Sequence, residues 1–508
     1  MNPDVSGAGR HFAEGDRLFG EGRYDEATVA YETGLRLDPD DAGAQLGLAR
    51  VYHAVGLITR ALAMLAELLE KHPALEAALL LQATILLEQD RPAETLIVTQ
   101  KLFKENPDNV EGLVLAGKAL GDLGRIDPAK RRLTRALEID AACLEACLEL
   151  ADLSARDEDF EAALDWLTKG FALKPDDYHV RLGLGWANGE LGRVEEAVRN
   201  LEEAARLAPD KVEPALELAH LRERSGDLPS AIALYRDVLR REPTLTNARQ
   251  SLAECLADLD RLDEAADEYR ALVSQRPDEA DYHAGLGQML SMQGKSADAE
   301  REYRCATELA PKSPDLLCEL AGLYQRSGRH GDAEQAYLRA IAVAGDHAPA
   351  HNGLGMLYHE MGKLAEAARD YSSAVKLEPA SDWPHFNLGL VFEESGELAK
   401  AETCFRRVVD LVPGDAEARC CLGNALREQS RYDEALAQFQ KAAELAPDDP
   451  SPCAELCFFY HECLVDAGRA AQFGRRFLAL GGKDPEIDAV LESIGNGFTR
   501  NGPEPSDA

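Results

Sequence analysis

Apolar residues recur along this chain at the three- and four-residue steps of a helix, as at Leu286, Leu290, Ala299, Tyr303 and Ala306. A turn residue such as Gly294 interrupts the run. This spacing predicts two amphipathic helices separated by a glycine turn. The pair repeats: Gly22 to Asp41 reads GRYDEATVAYETGLRLDPDD, and Gly362 to Ser381 reads GKLAEAARDYSSAVKLEPAS. Glycine, alanine, tyrosine and proline hold the same places in both stretches, which lie ten periods of 34 residues apart.

A 34-residue frame opened at Ala8 runs through thirteen repeats to Asp449 without insertion or deletion. Its eighth place is always glycine or alanine, including Gly15, Gly117, Gly185, Gly287, Gly355, Gly389 and Gly423. The twentieth place is alanine in twelve repeats, among them Ala197, Ala299 and Ala367, with Thr95 the exception. The thirty-second place is proline in eleven, with Ala141 and Gly345 the departures. Small residues at the eighth and twentieth places let two helix backbones approach closely, and Tyr303 or Tyr371 fills the space beside them. Proline ends the second helix. One such pair cannot bury its own apolar stripe, whereas thirteen stacked pairs can.

The pattern resembles the tetratricopeptide repeat (TPR) family over residues 8–449. No tryptophan stands at the fourth place, and Glu14, Gln82 and Ala116 occupy the seventh, where later repeats carry leucine. The resemblance implies an all-α fold, a right-handed superhelical solenoid of helix-turn-helix repeats whose first helices line a concave groove. The frame divides the chain into an N-terminal extension (1–7), thirteen repeats (8–449), a partial repeat with capping helices (450–498) and a disordered tail (499–508). In the cap, Pro450 to Gly468 repeats a first helix, and Ala470 to Leu480 replaces a second. Asp484-Pro485-Glu486 then opens a third helix with Ile487, Val490, Leu491 and Ile494 on one face.

Composition narrows the partners. With 91 Asp+Glu against 55 Lys+Arg the formal charge is -36, which repels phosphate backbones and anionic lipid. Nucleic acid is therefore a poor partner. No apolar run approaches the roughly 20 residues that span a bilayer, and the opening residues lack a signal-peptide core. The chain reads as soluble and cytoplasmic, without membrane insertion. Eleven irregularly spaced cysteines fit reduced thiols better than a disulfide framework.

Fragments that suggest chemistry fail on context. Gly112 to Ala119 is one residue short of a phosphate-binding loop and lies within a predicted helix. His359-Glu360 and His461-Glu462 lack the second histidine of a zinc-protease helix. Cys453, Cys457 and His461 recur every four residues near Cys420 and Cys421. They raise a metal or redox sensor as a third reading, but Cys457 holds the close-packing eighth place. The expectation is no catalytic residue, no cofactor and no metal.

Surface recognition remains. By family analogy the second, fifth, ninth, twelfth and thirteenth places line the groove, where eighteen acidic residues face six Lys/Arg. Candidate partner-binding residues are Glu111, Glu145, Asp152, Glu213, Glu223, Glu254, Asp258, Glu393 and Glu394, with Trp186, Trp383 and Phe386 as aromatic anchors. A basic segment would be drawn to them. The fifth place, Phe12, Leu46, Leu80, Val114, Leu148, Leu182 and Leu216, forms an apolar ladder that would seat either an amphipathic segment or a neighbouring helix. The lysine and asparagine pattern of chaperone-clamping TPR domains is absent, and only Asn387 matches the sixth-place asparagine of the O-linked N-acetylglucosamine transferase arm. The sequence therefore reads as a non-enzymatic scaffold or adaptor for one or more proteins or peptides, with self-association left open. The alternative is an accessory subunit of a separate enzyme or assembly machine, in glycosyl transfer or in polysaccharide or protein secretion.

Overall fold

The computed structural model describes residues 5–500, and the side chains of residues 7–494. Positions 1–4 and 501–508 of the two terminal segments lie outside the described residues. The chain divides into two compact units between Cys255 and Leu256. The first contains α1 (Val5–Gly20), α2 (Tyr24–Leu37), α3 (Ala42–Ala54), α4 (Ile58–Lys71), α5 (Glu76–Glu88), α6 (Pro92–Glu105), α7 (Val110–Asp122), α8 (Ile126–Ile139), α9 (Leu144–Arg156), α10 (Phe160–Leu173), α11 (Tyr178–Glu190), α12 (Val194–Leu207), α13 (Glu213–Arg224), α14 (Leu228–Arg241) and most of α15 (Thr246–Asp258). The second contains α16 (Leu262–Gln275), α17 (Ala280–Met292), α18 (Ser296–Leu309), α19 (Pro314–Arg326), α20 (His330–Val343), α21 (Ala348–Glu360), α22 (Leu364–Leu377), α23 (Asp382–Glu394), α24 (Leu398–Leu411), α25 (Ala416–Glu428), α26 (Tyr432–Leu445), α27 (Ser451–Phe458), α28 (Ala467–Ala479) and α29 (Pro485–Arg500). Among the described residues there is no strand, so the fold is all-α.

The helices keep the register of the sequence frame. In repeats 2 to 13 the first helix starts at the first place, or at the second in repeat 7, and the second helix starts at the seventeenth throughout. Two ends differ from the sequence boundaries: α1 begins at Val5, inside segment 1–7, and α29 runs through Thr499 to Arg500.

Within each unit, packing centres on the small residues. Ala197, Ala299 and Ala367 have no exposed surface, and Tyr303 and Tyr371 are 1% exposed. A Cβ added at Gly15 would stand 2.9 Å from Tyr31, at Gly117 2.6 Å from Leu133, and at Gly185 2.5 Å from Leu201. In the second unit the corresponding distances are 3.1 Å from Gly287 to Tyr303, 2.8 Å from Gly355 to Tyr371, 2.6 Å from Gly389 to Phe405 and 2.5 Å from Gly423 to Phe439. The eighth place thus lies directly beneath the bulky residue at the twenty-fourth, and the missing side chain is what allows the contact.

The turn between paired helices has one demanding position. The fifteenth place has positive φ in every repeat: nine are glycines from Gly22 to Gly396, and four are Asp90, Glu158, Asp260 and Ser430, at φ 52° to 59°. A left-handed conformation costs a non-glycine residue about 1–2 kcal/mol, and aspartate tolerates it better than glutamate. Replacing Glu158 with glycine is expected to stabilise the protein by about 0.5–1 kcal/mol after the glycine's greater unfolded-state entropy is deducted. Calorimetry should show a higher midpoint for Glu158→Gly and a smaller gain for Asp90→Gly. An equal or lower midpoint for Glu158→Gly would refute the strain at this turn.

After Asp449 the frame slips by one residue. α27 continues as a π-helical turn over Phe459–Cys463, and positive φ moves from the expected position 464 to Val465. The π-turn absorbs the insertion, so buried Ala470 on α28 takes the role of the twentieth-place alanine. Gly474 then falls where every other repeat but the third, with Thr99, carries a tyrosine, phenylalanine or leucine. A Cβ there would meet Cys457 Sγ and Leu491 Cδ2, each at 3.1 Å. Leu491 of α29 therefore enters the place of the absent ring. Asp484 accepts the Glu486 N–H at 2.8 Å to open α29, and Ile487 is fully buried against this end of the stack.

Candidate binding groove

A concavity lies within the first unit, where the first helices of repeats 4 to 7 (α7, α9, α11 and α13) surround a cavity of about 930 Å³. Leu148 and Leu182 of the apolar ladder form part of its lining, and Trp186 forms one wall. Trp186 is half-buried, with Phe160 packed edge-on at 5.6 Å. The ladder is itself half-covered: Leu46 and Val114 are buried, while Phe12, Leu80, Leu148, Leu182 and Leu216 keep intermediate exposure.

Glu145, Glu149, Asp152 and Glu217 bring four carboxylates into this cavity against two cations, Lys118 and Arg156. Lys118 Nζ bridges Glu145 at 2.6 Å and Glu149 at 3.2 Å, and Arg156 pairs with Asp152 at 2.8 Å. Glu217 has no ion-pair partner among the described residues. Burial pushes the Glu149 carboxyl above the usual carboxylate range despite the Lys118 charge. Burial does the same to Glu217, where Glu190 adds repulsion and His220 and Arg224 offset part of the shift. Neither Glu149 nor Glu217 was among the sequence-predicted site residues, because both occupy the sixth place.

The other predicted residues of this unit are dispersed. Glu111 and Glu254 are exposed, and Glu254 accepts a 2.9 Å hydrogen bond from Gln250. Glu213 accepts one from Tyr178 at 3.3 Å. Glu223 lines an adjoining hollow of about 380 Å³ that Trp186 also borders, but it also accepts a hydrogen bond from the buried Tyr235 hydroxyl. Its replacement would leave that hydroxyl without its acceptor.

In the second unit, Asp258 is exposed at the end of α15 and Trp383 is 66% exposed on α23. Phe386 is half-buried and packs edge-on against buried Phe405 at 5.9 Å, at the margin of the core. Glu394 is exposed and meets His359 Nε2 at 3.0 Å. Glu393 is half-buried, and its carboxyl is pushed up by burial and by the nearby Glu455.

The cysteine stripe is core. Cys453 and Cys457 are 1% and 0% exposed, and burial pushes the Cys457 thiol up to about 11 and the Cys420 thiol to about 12. At neutral pH these thiols stay protonated, which suits packing and not reactivity. Among the described residues no group of three or more His, Cys, Asp or Glu side chains could hold a metal ion. Among them, too, no helix is long and apolar enough to cross a membrane.

Paired helices in a 34-residue register, packed through small residues and carrying a groove on their first helices, define a helical-repeat protein. The chain belongs to the tetratricopeptide repeat family. One model described as "Tetratricopeptide repeat" matches residues 18–85 and 222–289, another of that description matches 114–178, 182–245 and 386–450, and a "TPR repeat" model matches 355–396. A Bacillus subtilis TPR repeat-containing protein, YpiA, is 22% identical over 201 residues, covering 40% of this chain. That match spans about half, 47%, of the Bacillus protein. Among solved structures, the APC/C hetero-tetramer Cut9–Hcn1 aligns with TM-score 0.44 and 20% identity over 94% of this chain and 95% of that one. Yeast Tom70 aligns with TM-score 0.43 and 16% identity over 84% and 96%. The repeat fold of this family is that of protein–protein interaction scaffolds.

Proposed function

We propose that this protein is a cytoplasmic, non-enzymatic scaffold that holds a basic, amphipathic segment of a partner protein in the groove of repeats 4 to 7. In this reading residues 8–449 are thirteen working repeats, 450–498 closes the stack, and Glu145, Asp152 and Trp186 contact the partner together with Glu149 and Glu217. The observation that carries it is the pair Glu149 and Glu217. Both are carboxylates held half-buried at an energetic cost, and Glu217 has no partner of its own, beside an aromatic wall and two leucines. A guanidinium or ammonium group on an apolar segment would satisfy the carboxylates, lie against Trp186 and cover the ladder.

The test is fluorescence anisotropy with a labelled peptide of arginines and leucines, measured on the full chain. Changing Glu149 and Glu217 together to glutamine is expected to weaken binding about tenfold, and raising salt should weaken it further. Affinity unmoved by both would exclude this groove as the basic-segment site.

A further inference from the structure

A pocket of opposite charge lies on the second-helix side of repeats 3 and 4. Arg125, Arg131, Arg132 and Arg135 surround a cavity of about 520 Å³ floored by Leu96, Phe103 and Leu120, and its lining contains no acidic residue. This stands out in a chain with 36 more acidic than basic side chains.

The repeat pattern explains how the pocket arises. In several repeats a basic residue at the sixteenth place pairs with an acid at the nineteenth: Arg91 with Glu94 at 2.7 Å, Arg261 with Glu264 at 2.7 Å, Arg329 with Asp332 at 2.7 Å and Arg431 with Glu434 at 2.6 Å. In repeat 4 the sixteenth place is Arg125, but the nineteenth is Pro128. Arg125 and Arg131 have no carboxylate partner among the described residues. Arg132 lies over the Phe103 ring, 5.0 Å from its centroid. Only Arg135 is neutralised, by Asp108 at 2.9 Å and Glu138 at 2.8 Å.

We propose that this pocket docks a short acidic segment of a partner protein, a run of Asp/Glu carrying one apolar side chain. Arg125 to Arg135 extends about 15 Å along the helix, which suits spaced carboxylates better than a single phosphate. The apolar floor suits a side chain between them. A long polyanion would extend from the patch onto the surrounding acidic surface and be repelled there. The pocket shares helix α7 with the groove but no lining residue, so a scaffold could hold a basic and an acidic segment at once.

The experiment measures anisotropy of a labelled peptide of glutamates flanking one phenylalanine, titrated with the full chain. Binding is expected despite the protein's net negative charge. Pro128→Glu, which restores the missing acid at a helix start that favours it, should lower affinity about three- to tenfold. Arg131→Ala combined with Arg132→Ala should lower it about tenfold or more. Glu149→Gln with Glu217→Gln should leave it unchanged. No binding by the wild type, equal binding by Pro128→Glu, or equal binding of the glutamine version of the peptide would overturn the proposal. So would displacement of the peptide by inorganic phosphate, tighter binding of duplex DNA, or a change in oligomeric state in Pro128→Glu, which would assign the pocket to phosphate, nucleic acid or a second copy.

Discussion

Replacing Gly185 with leucine is expected to destabilise the protein by about 3 kcal/mol and to melt its effect outward from α11 and α12. The Cβ alone would lie 2.5 Å from Leu201 Cγ and 3.3 Å from its backbone nitrogen, so turning the Leu201 side chain away cannot relieve the overlap. Leu201 is itself 1% exposed and Ala197, one turn earlier, is fully buried. The two helices must therefore separate. Because each repeat rests on its neighbours, separation also exposes the contacts of α9 and α13. A lower thermal midpoint with faster hydrogen exchange concentrated in α11 and α12 is the expected result. Ala93→Leu, at an exposed position on α6, is the control and should change stability by no more than about 0.5 kcal/mol. An unchanged midpoint for Gly185→Leu would mean that the eighth place is not the closest approach of the pair.

That contact was legible before the structure because it repeats. Twelve recurrences of a small residue at one place and a bulky one sixteen places later, with Thr99 the exception, leave one packing solution, and helix starts such as Leu144, Tyr178 and Pro314 fall on the frame. The groove was less legible. Lys118 reaches Glu145 across repeats, 27 residues away, and such a pair has no signature at helical spacing. Glu149 and Glu217 escaped because the lining was assigned by family analogy to five other places. A signal did exist: the sixth place is small or apolar in most other repeats, as at Gly47, Leu81, Leu115 and Gly183, with Glu319 a third glutamate in the row. An ionisable group in a small or apolar row is the anomaly to follow. The two second-unit aromatics also differ in a way their places in the frame do not reveal: Phe405 packs against the half-buried Phe386 ring, whereas Trp383 remains mostly exposed.

Glu217→Gln should strengthen the fold while weakening the proposed function. The folded-state pKa of Glu217 is raised, chiefly by burial and then by Glu190. A carboxyl raised in this way contributes stability below its unfolded value, about 4.3, and loses that contribution as pH rises through the folded value. At neutral pH the ionised Glu217 is therefore a net burden, and glutamine, of nearly the same shape, removes it. Calorimetry of the full chain at pH 7.5 should show Glu217→Gln more stable than wild type by up to about 1 kcal/mol. The difference should fade as the pH is lowered towards 4, where the wild-type carboxyl is itself neutral. A basic peptide bound in the groove should reverse the order at pH 7.5, since it compensates the charge only where the charge exists. A variant that is less stable without peptide would show that Glu217 is already satisfied within the fold. A gain that persists undiminished at pH 4 would show that burial of its charge is not the cause.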